Sequence, residues 1–271
     1  MGRAQWGAEP EFFGPRHRFR ETLIVTELGG GPPEALHLEC AAGVGSLTLE
    51  LARRGRRVVA ADRSLRSLAV LHARAARAGL RSRVIPVAAD ITALPFPDGT
   101  FPSATTAETL EHVPDDARAV SELARVLCPG GRLAGTVPAD PRQWSAWDDW
   151  AGHLRRYTRE DLGRLLAGAG LRPRVRVWGW PLVRVYDALF LRRVNRRRLH
   201  TDRPIEADPT LRRVQRLGRA RWLVRAVTAV FALDRLVLGA PWGVGLVFSA
   251  TREGGPAEPT TGPSASAPGR R

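Results

Sequence analysis

Four acidic residues stand at the ends of four short apolar runs in the first half of the chain: Glu39, Asp62, Asp90 and Glu108. Directly after the first of them comes a loop of small residues, in the stretch HLECAAGVG (37–45). Its spacing Glu39, Ala41, Gly43, Gly45 is nearly that of an acidic, glycine-rich nucleotide-binding turn, with Ala41 in place of one glycine. Small residues in such a turn let the backbone approach a ligand closely, and carboxylates accept strong hydrogen bonds and offset positive charge.

Positioning these groups needs a scaffold, and the pattern of the chain supplies one. Residues 1–16 read as an irregular arm, and a helix is predicted over 17–28, stopped by the Gly-Gly-Gly-Pro-Pro run at 29–33. Strands are predicted at 35–39, 57–62, 83–90, 101–108 and 132–138. Helices are predicted between them at 46–54, with Ser46 as N-cap and a Glu50/Arg54 pair, from Ser64 to Gly79, and from Asp115 to Leu127. Short apolar strands alternating with helices make a parallel sheet covered on both faces. In such sheets ligands bind beyond the carboxyl ends of the strands, where all four acids fall.

Beyond the fifth strand the texture changes. Trp144, Trp147 and Trp150 recur at every third residue, as a helix face on the core or as the wall of an apolar pocket. A helix at 157–170 carries a Thr158/Asp161 capping box. A sixth strand follows at 174–180, with Trp178 and Trp180 on one side of it. Residues 181–244 read as a basic helical insertion, residues 245–251 as a closing strand, and residues 252–271 as a disordered Pro/Gly/Ser/Ala tail.

Composition narrows the class. The 271 residues, 44% of them hydrophobic, carry a formal net charge of +15, and every basic residue is Arg. Between Arg184 and Arg225 there are 13 Arg against four acids, read as a solvated helical face or as a surface for anionic lipid or an acidic substrate. The two cysteines, Cys40 and Cys128, form no metal or disulfide spacing, so no metal is expected and a reducing cytoplasm is. No apolar signal core opens the chain, and no run reaches the ~18 to 20 residues of a membrane span.

The ordered series LECAAGVG, AADRS, AADITALPFPDGTF, AETLEHVPD, ELARVLCPGGRLAGTVP and HLRRYTREDLGRLLAGAGL resembles the class I S-adenosylmethionine-dependent methyltransferases. It is similar in particular to the broad type 11-like group that includes the quinone-biosynthesis methyltransferases. The resemblance covers roughly residues 17–180, with 245–251 as the last strand. It implies one methyltransferase domain over 17–251. The implied fold is α/β, a doubly wound Rossmann-like sheet of seven strands, the last antiparallel, with the helical insertion before it. The implied cofactor is S-adenosyl-L-methionine.

Residue by residue, the resemblance puts Glu39 near the cofactor's ammonium, and Ala41, Gly43 and Gly45 at its methionine part. Asp62 would accept from the ribose hydroxyls, and Arg63 would lie beside the adenine. Asp90, with the Ile91 N–H, would bind the adenine edge, and Ala107 would face the methionine end. Each carboxylate could instead be a helix N-cap or a surface acid. His112 is the candidate general base, or a pocket-shaping residue, and His153 is a second candidate or a loop residue. Three positions depart from the pattern: Ala41 for glycine, His37 in an apolar strand, and Pro102 for an acid.

The expected function is methyl transfer to a small-molecule or lipid-like acceptor in the cytoplasm. The insertion is read as a lid, as plain packing, as a dimer contact, or as a peripheral contact with anionic membrane. A non-catalytic protein binding membrane or nucleic acid through the Arg-rich insertion is the alternative. A nicotinamide-dependent oxidoreductase fits poorly, because Ala41-x-Gly43-x-x-Ser46 keeps one of three fingerprint glycines. The place of the (Asp/Asn)-Pro-Pro-(Tyr/Phe) motif of amino-methylating DNA enzymes holds AETL, which speaks against a nucleic-acid acceptor.

Overall fold

The computed structural model describes residues 14–32, 34–199, 213, 217 and 220–254. Most of the expected N-terminal arm, nearly all of the expected tail and the middle of the insertion lie outside the described residues.

Seven strands form one sheet: β1 (Leu36–Cys40), β2 (Arg57–Asp62), β3 (Val84–Ala88), β4 (Phe101–Ala107), β5 (Leu127–Pro138), β6 (Leu171–Trp178) and β7 (Gly245–Arg252). Their order is β3-β2-β1-β4-β5-β7-β6. The first five run parallel, and β7 is antiparallel to both its neighbours. The order reverses between β1 and β4, the place where open sheets of this kind hold ligands.

Alternation along the strands feeds two cores. Val59 and Ala61 face one side with Leu38, Phe101 and Leu123; Val58 and Ala60 face the other with Ile24, Leu51 and Leu71. The helices α1 (Pro15–Leu28), α2 (Ser46–Arg53) and α3 (Leu65–Arg77) supply the second core. The helices α4 (Asp116–Val126) and α6 (Arg159–Gly168) supply the first, and a short α5 (Ala146–Ala151) precedes α6.

The polar residue in β1 has a structural reason. His37 is fully buried, and its ring nitrogens meet Ser103 Oγ at 2.8 Å and Thr105 Oγ1 at 2.9 Å on the paired strand β4. Burial, and then the charge of Arg56, push its pKa down to about 3. The folded protein therefore keeps His37 neutral while the unfolded chain binds a proton below its ordinary value of 6.5. Its contribution to stability is complete above pH 6.5 and is lost as pH falls toward 3, at roughly 1.4 kcal/mol per pH unit. Urea unfolding is expected to show about 2 kcal/mol more loss between pH 6.5 and 5 in the wild type than in His37→Gln. Equal losses in both would contradict this.

Some local expectations change. Ser46 is not the cap of α2: Gly45 occupies that place with φ 80°, and the Ser46 hydroxyl donates instead to Glu21 of α1. Pro102 sits exposed at an irregularity where the β4–β5 register shifts between Phe101 and Ser103, a place that needs no ladder donor. Strand β6 ends at Trp178, so Trp180 is not on it. Trp178 is buried, whereas Trp180 packs on Trp242 with ring centroids 5.5 Å apart.

The described part of the insertion is helical up to Val237 and turns irregular over 238–244. It contains α7 (Leu182–Tyr186), a π turn (Asp187–Leu191), α8 (Arg192–Leu199), α9 (Arg221–Phe231) and a 3-10 segment (Ala232–Val237). The buried carboxylate of Asp234 fastens it, accepting from the backbone N–H groups of Leu182 at 2.9 Å and Val183 at 3.0 Å.

Candidate functional site

One cleft of about 1860 Å³ opens over the carboxyl ends of β1, β2 and β4. That exceeds the 300–1,000 Å³ typical of a single ligand pocket, so it has room for a cofactor and a second molecule. Glu39, Ala41, Gly43, Asp62, Arg63, Asp90, Ile91, Ala107 and His112 all line it.

The loop after β1 is held open by named contacts. Ala41, Gly43 and Gly45 have φ of 58°, 53° and 80°. The Gly43 N–H donates to Asp62 Oδ2 at 2.8 Å, and the Ser64 N–H donates to Asp62 Oδ1 at 2.8 Å. Arg74 of α3 holds the Val44 carbonyl at 2.6 Å. Gly45 is buried beneath the loop rather than in the cleft wall, and an added Cβ there would overlap the Leu71 side chain. Its part is packing, a different one from the ligand contact expected of it.

Ala41 takes a left-handed conformation that costs a non-glycine residue about 1 kcal/mol. Ala41→Gly is therefore expected to raise stability by about 1 kcal/mol and to leave cofactor affinity unchanged, as thermal unfolding and calorimetry would show. A loss of affinity would mean that the alanine methyl touches the cofactor.

The carboxylates fit the polar edges of a nucleoside. Asp62 uses one lone pair of each oxygen on the loop, and a carboxylate has about four. Asp90 is exposed and accepts from the Thr92 N–H at 2.8 Å and the Thr92 hydroxyl at 2.7 Å. Those two bonds hold its pKa below the usual carboxylate value. Glu39 is buried and accepts from the Thr48 hydroxyl at 2.5 Å. With the small residues Ala41, Gly43 and Ala107 between them, these acids suit the donor set of S-adenosylmethionine: ribose hydroxyls, adenine amine and methionine ammonium.

Sequence reasoning missed the α1 side of the cleft. Arg20 of α1 pairs with Glu108 at 3.2 Å, and Arg16 pairs with Asp187 of the insertion at 3.3 Å. Burial opposes the Glu108 charge, but Arg20 and Arg16 hold its pKa below the usual value. Glu21 is buried too; against that burial, His17, Ser46 and Arg18 bring it down to about 2, and so tie α1 to the start of α2. No motif marks these residues, because α1 precedes the ordered series.

The far wall carries the histidines. His112 donates through Nδ1 to the Gly152 carbonyl at 3.2 Å, and its ring meets that of His153 edge to face at 4.8 Å. Burial, and then His153, lower the His112 pKa. His153 lies in the cleft wall and donates through Nδ1 to Asp148 at 2.8 Å, which leaves Nε2 as the basic nitrogen. Asp148 is fully buried and bonded to Arg156 at 2.8 and 3.0 Å, so the orientation of His153 is fixed. Behind them Glu111 is fully buried, and burial and then the charge of Glu108 push its carboxyl pKa well above the usual value. One donor atom from each of Glu111, His112 and His153 lies within 4.8 Å of the others, a grouping that the sequence spacing did not announce.

The tryptophan triplet faces the cleft. Trp144, Trp147 and Trp150 all line it, with the last two rings 4.7 Å apart, rather than packing as one core face. Tyr186, Leu191 and Val194 of the insertion line the same cleft.

Residues 38–135 match the family model described as a methyltransferase domain. A demethylmenaquinone methyltransferase of Thermus thermophilus is 41% identical over 123 residues, covering 45% of this chain and 54% of that protein. Another, of Mycobacterium marinum, is 43% identical over 118 residues, covering 44% and 46%. The chain thus spans about half the length of the curated relatives it matches. Among solved structures, the [4+2]-cyclase SpnF superposes with a TM-score of 0.62 at 22% identity, covering 94% of this chain and 89% of that one. A geranyl diphosphate methyltransferase in complex with GPP and sinefungin gives 0.61 at 19% identity, covering 87% and 77%. The matched motif stretch is thus similar to a methyltransferase domain, and the seven-stranded sheet that carries it superposes on that of a solved methyltransferase.

Proposed function

We propose that the protein transfers a methyl group from S-adenosylmethionine to a lipid-like small molecule, with a quinone-type ring as the favoured acceptor. The carrying observation is the single cleft that joins Asp62, Asp90 and the Gly43 loop to the aromatic wall of Trp144, Trp147 and Trp150. Relatives named demethylmenaquinone methyltransferases support the acceptor class. We place the reaction in the cytoplasm; no described helix is long and apolar enough to cross a membrane.

When bound, S-adenosylmethionine supplies an already activated methyl group. The residues of this chain then have to hold the acceptor in line and exclude water. For an acceptor that must lose a proton, His153 is the base: Asp148 fixes its ring, and Nε2 takes the proton. His112 closes the pocket beside it.

A cyclase shares this fold, so the reaction is assigned from the site and not from the fold. Labelled-methyl transfer to lipid and aqueous fractions of a cell extract, with mass spectrometry of the product, tests it directly. Label is expected in a lipid-fraction product. A protein that binds S-adenosylhomocysteine yet labels nothing in either fraction would sink the methyl-transfer proposal.

A further inference from the structure

The insertion turns an apolar stripe away from the protein. Its inner face is accounted for: Phe231 and Asp234 are buried, and Val227 and Leu238 pack with them beside Phe19 and Trp178. On the outer face of α9 and the 3-10 segment, Trp222 is 74% exposed, Val230 52%, Leu233 58% and Leu236 84%. A surface helix needs one apolar stripe to dock on its own core. This segment has two.

Charge decides what could cover it. Arg225 stands exposed along the same segment, and Arg235, also exposed, turns its guanidinium onto Thr22 and Thr26 of α1. The two carboxylates of the described insertion both turn inward, Asp187 onto Arg16 and Asp234 onto the start of α7. The exposed surface of the described insertion is therefore apolar and cationic, with no carboxylate to balance it. A second copy seated on this face would set arginine against arginine. A bilayer with anionic headgroups offers apolar depth for the stripe and phosphates for the arginines.

We propose that this face docks on an anionic lipid bilayer, with α9 and the 3-10 segment lying in the headgroup region. The docking surface and the cleft wall belong to one insertion, since α7 packs against α9 and leads into α8, which lines the cleft. A lipid-soluble acceptor could then pass from bilayer to cleft without crossing water. The docking itself rests on the surface alone and does not depend on the methyl-transfer proposal.

The full chain mixed with sucrose-loaded vesicles of phosphatidylcholine, with and without phosphatidylglycerol, tests it by sedimentation. Binding is expected only with phosphatidylglycerol. Leu233→Asp with Leu236→Asp is expected to reduce the bound fraction about tenfold or more, and Arg225→Glu to weaken it, at unchanged melting temperature. No wild-type binding overturns the proposal. So does binding that survives Leu233→Asp with Leu236→Asp but vanishes with salt, because charge alone then suffices. A wild-type dimer that this pair of changes splits into monomers on size exclusion overturns it as well, by showing that a second copy takes the face.

Discussion

Asp62→Ala is expected to weaken S-adenosylhomocysteine binding by about a hundredfold or more. Two charge-assisted bonds to ribose hydroxyls contribute ~1.5–3 kcal/mol each, so losing both amounts to roughly 10² to 10⁴ in affinity. The change also removes the acceptor that holds the Gly43 and Ser64 amides, so the loop itself should loosen. Asp62→Asn separates the two effects. It keeps an acceptor for one amide but loses the charge, and it should retain more of the melting temperature than of the affinity. Calorimetric titration of both variants, beside their melting curves, checks this. Unchanged affinity in Asp62→Ala would mean that the ribose lies elsewhere.

The second large effect is expected at His153. For an acceptor that must be deprotonated, removing a positioned base costs typically 10²- to 10⁴-fold in kcat. His153→Ala should show that loss in kcat, with KM for the acceptor and affinity for the cofactor little changed. His112→Ala should cost less, because the His112 ring is tied to Gly152 and burial lowers its basicity. Asp148→Asn is a poorer probe, since it takes the charged partner from the partly buried Arg156 and can cost several kcal/mol of stability. A His153→Ala enzyme with wild-type kcat would remove the base from the mechanism.

Much of this was legible in the residues themselves. Short strands ending in Glu39, Asp62, Asp90 and Glu108 announced a parallel sheet with a ligand edge, because apolar periodicity and strand length are local signals. The antiparallel place of β7 came from the family resemblance, and the β5–β7 and β6–β7 pairings bear it out. The Asp148–His153 pair was illegible for a physical reason. Its members lie in a short helix and the turn after it, and burial of Asp148 on Arg156 is a tertiary fact. Glu21 and Arg20 escaped notice because α1 reaches the cleft only after the chain has folded back across the sheet. That the stripe on α9 turns outward escaped notice because which side of a helix meets the core cannot be read from spacing when both sides are apolar.

The central claim is that the Gly43 loop and the acids around it hold S-adenosylmethionine. Calorimetric titration of the wild-type chain with S-adenosylhomocysteine tests it most directly. Saturable one-to-one binding, competed by S-adenosylmethionine, is the predicted result. A flat titration from a folded protein, with no rise in melting temperature on adding either nucleoside, would contradict it.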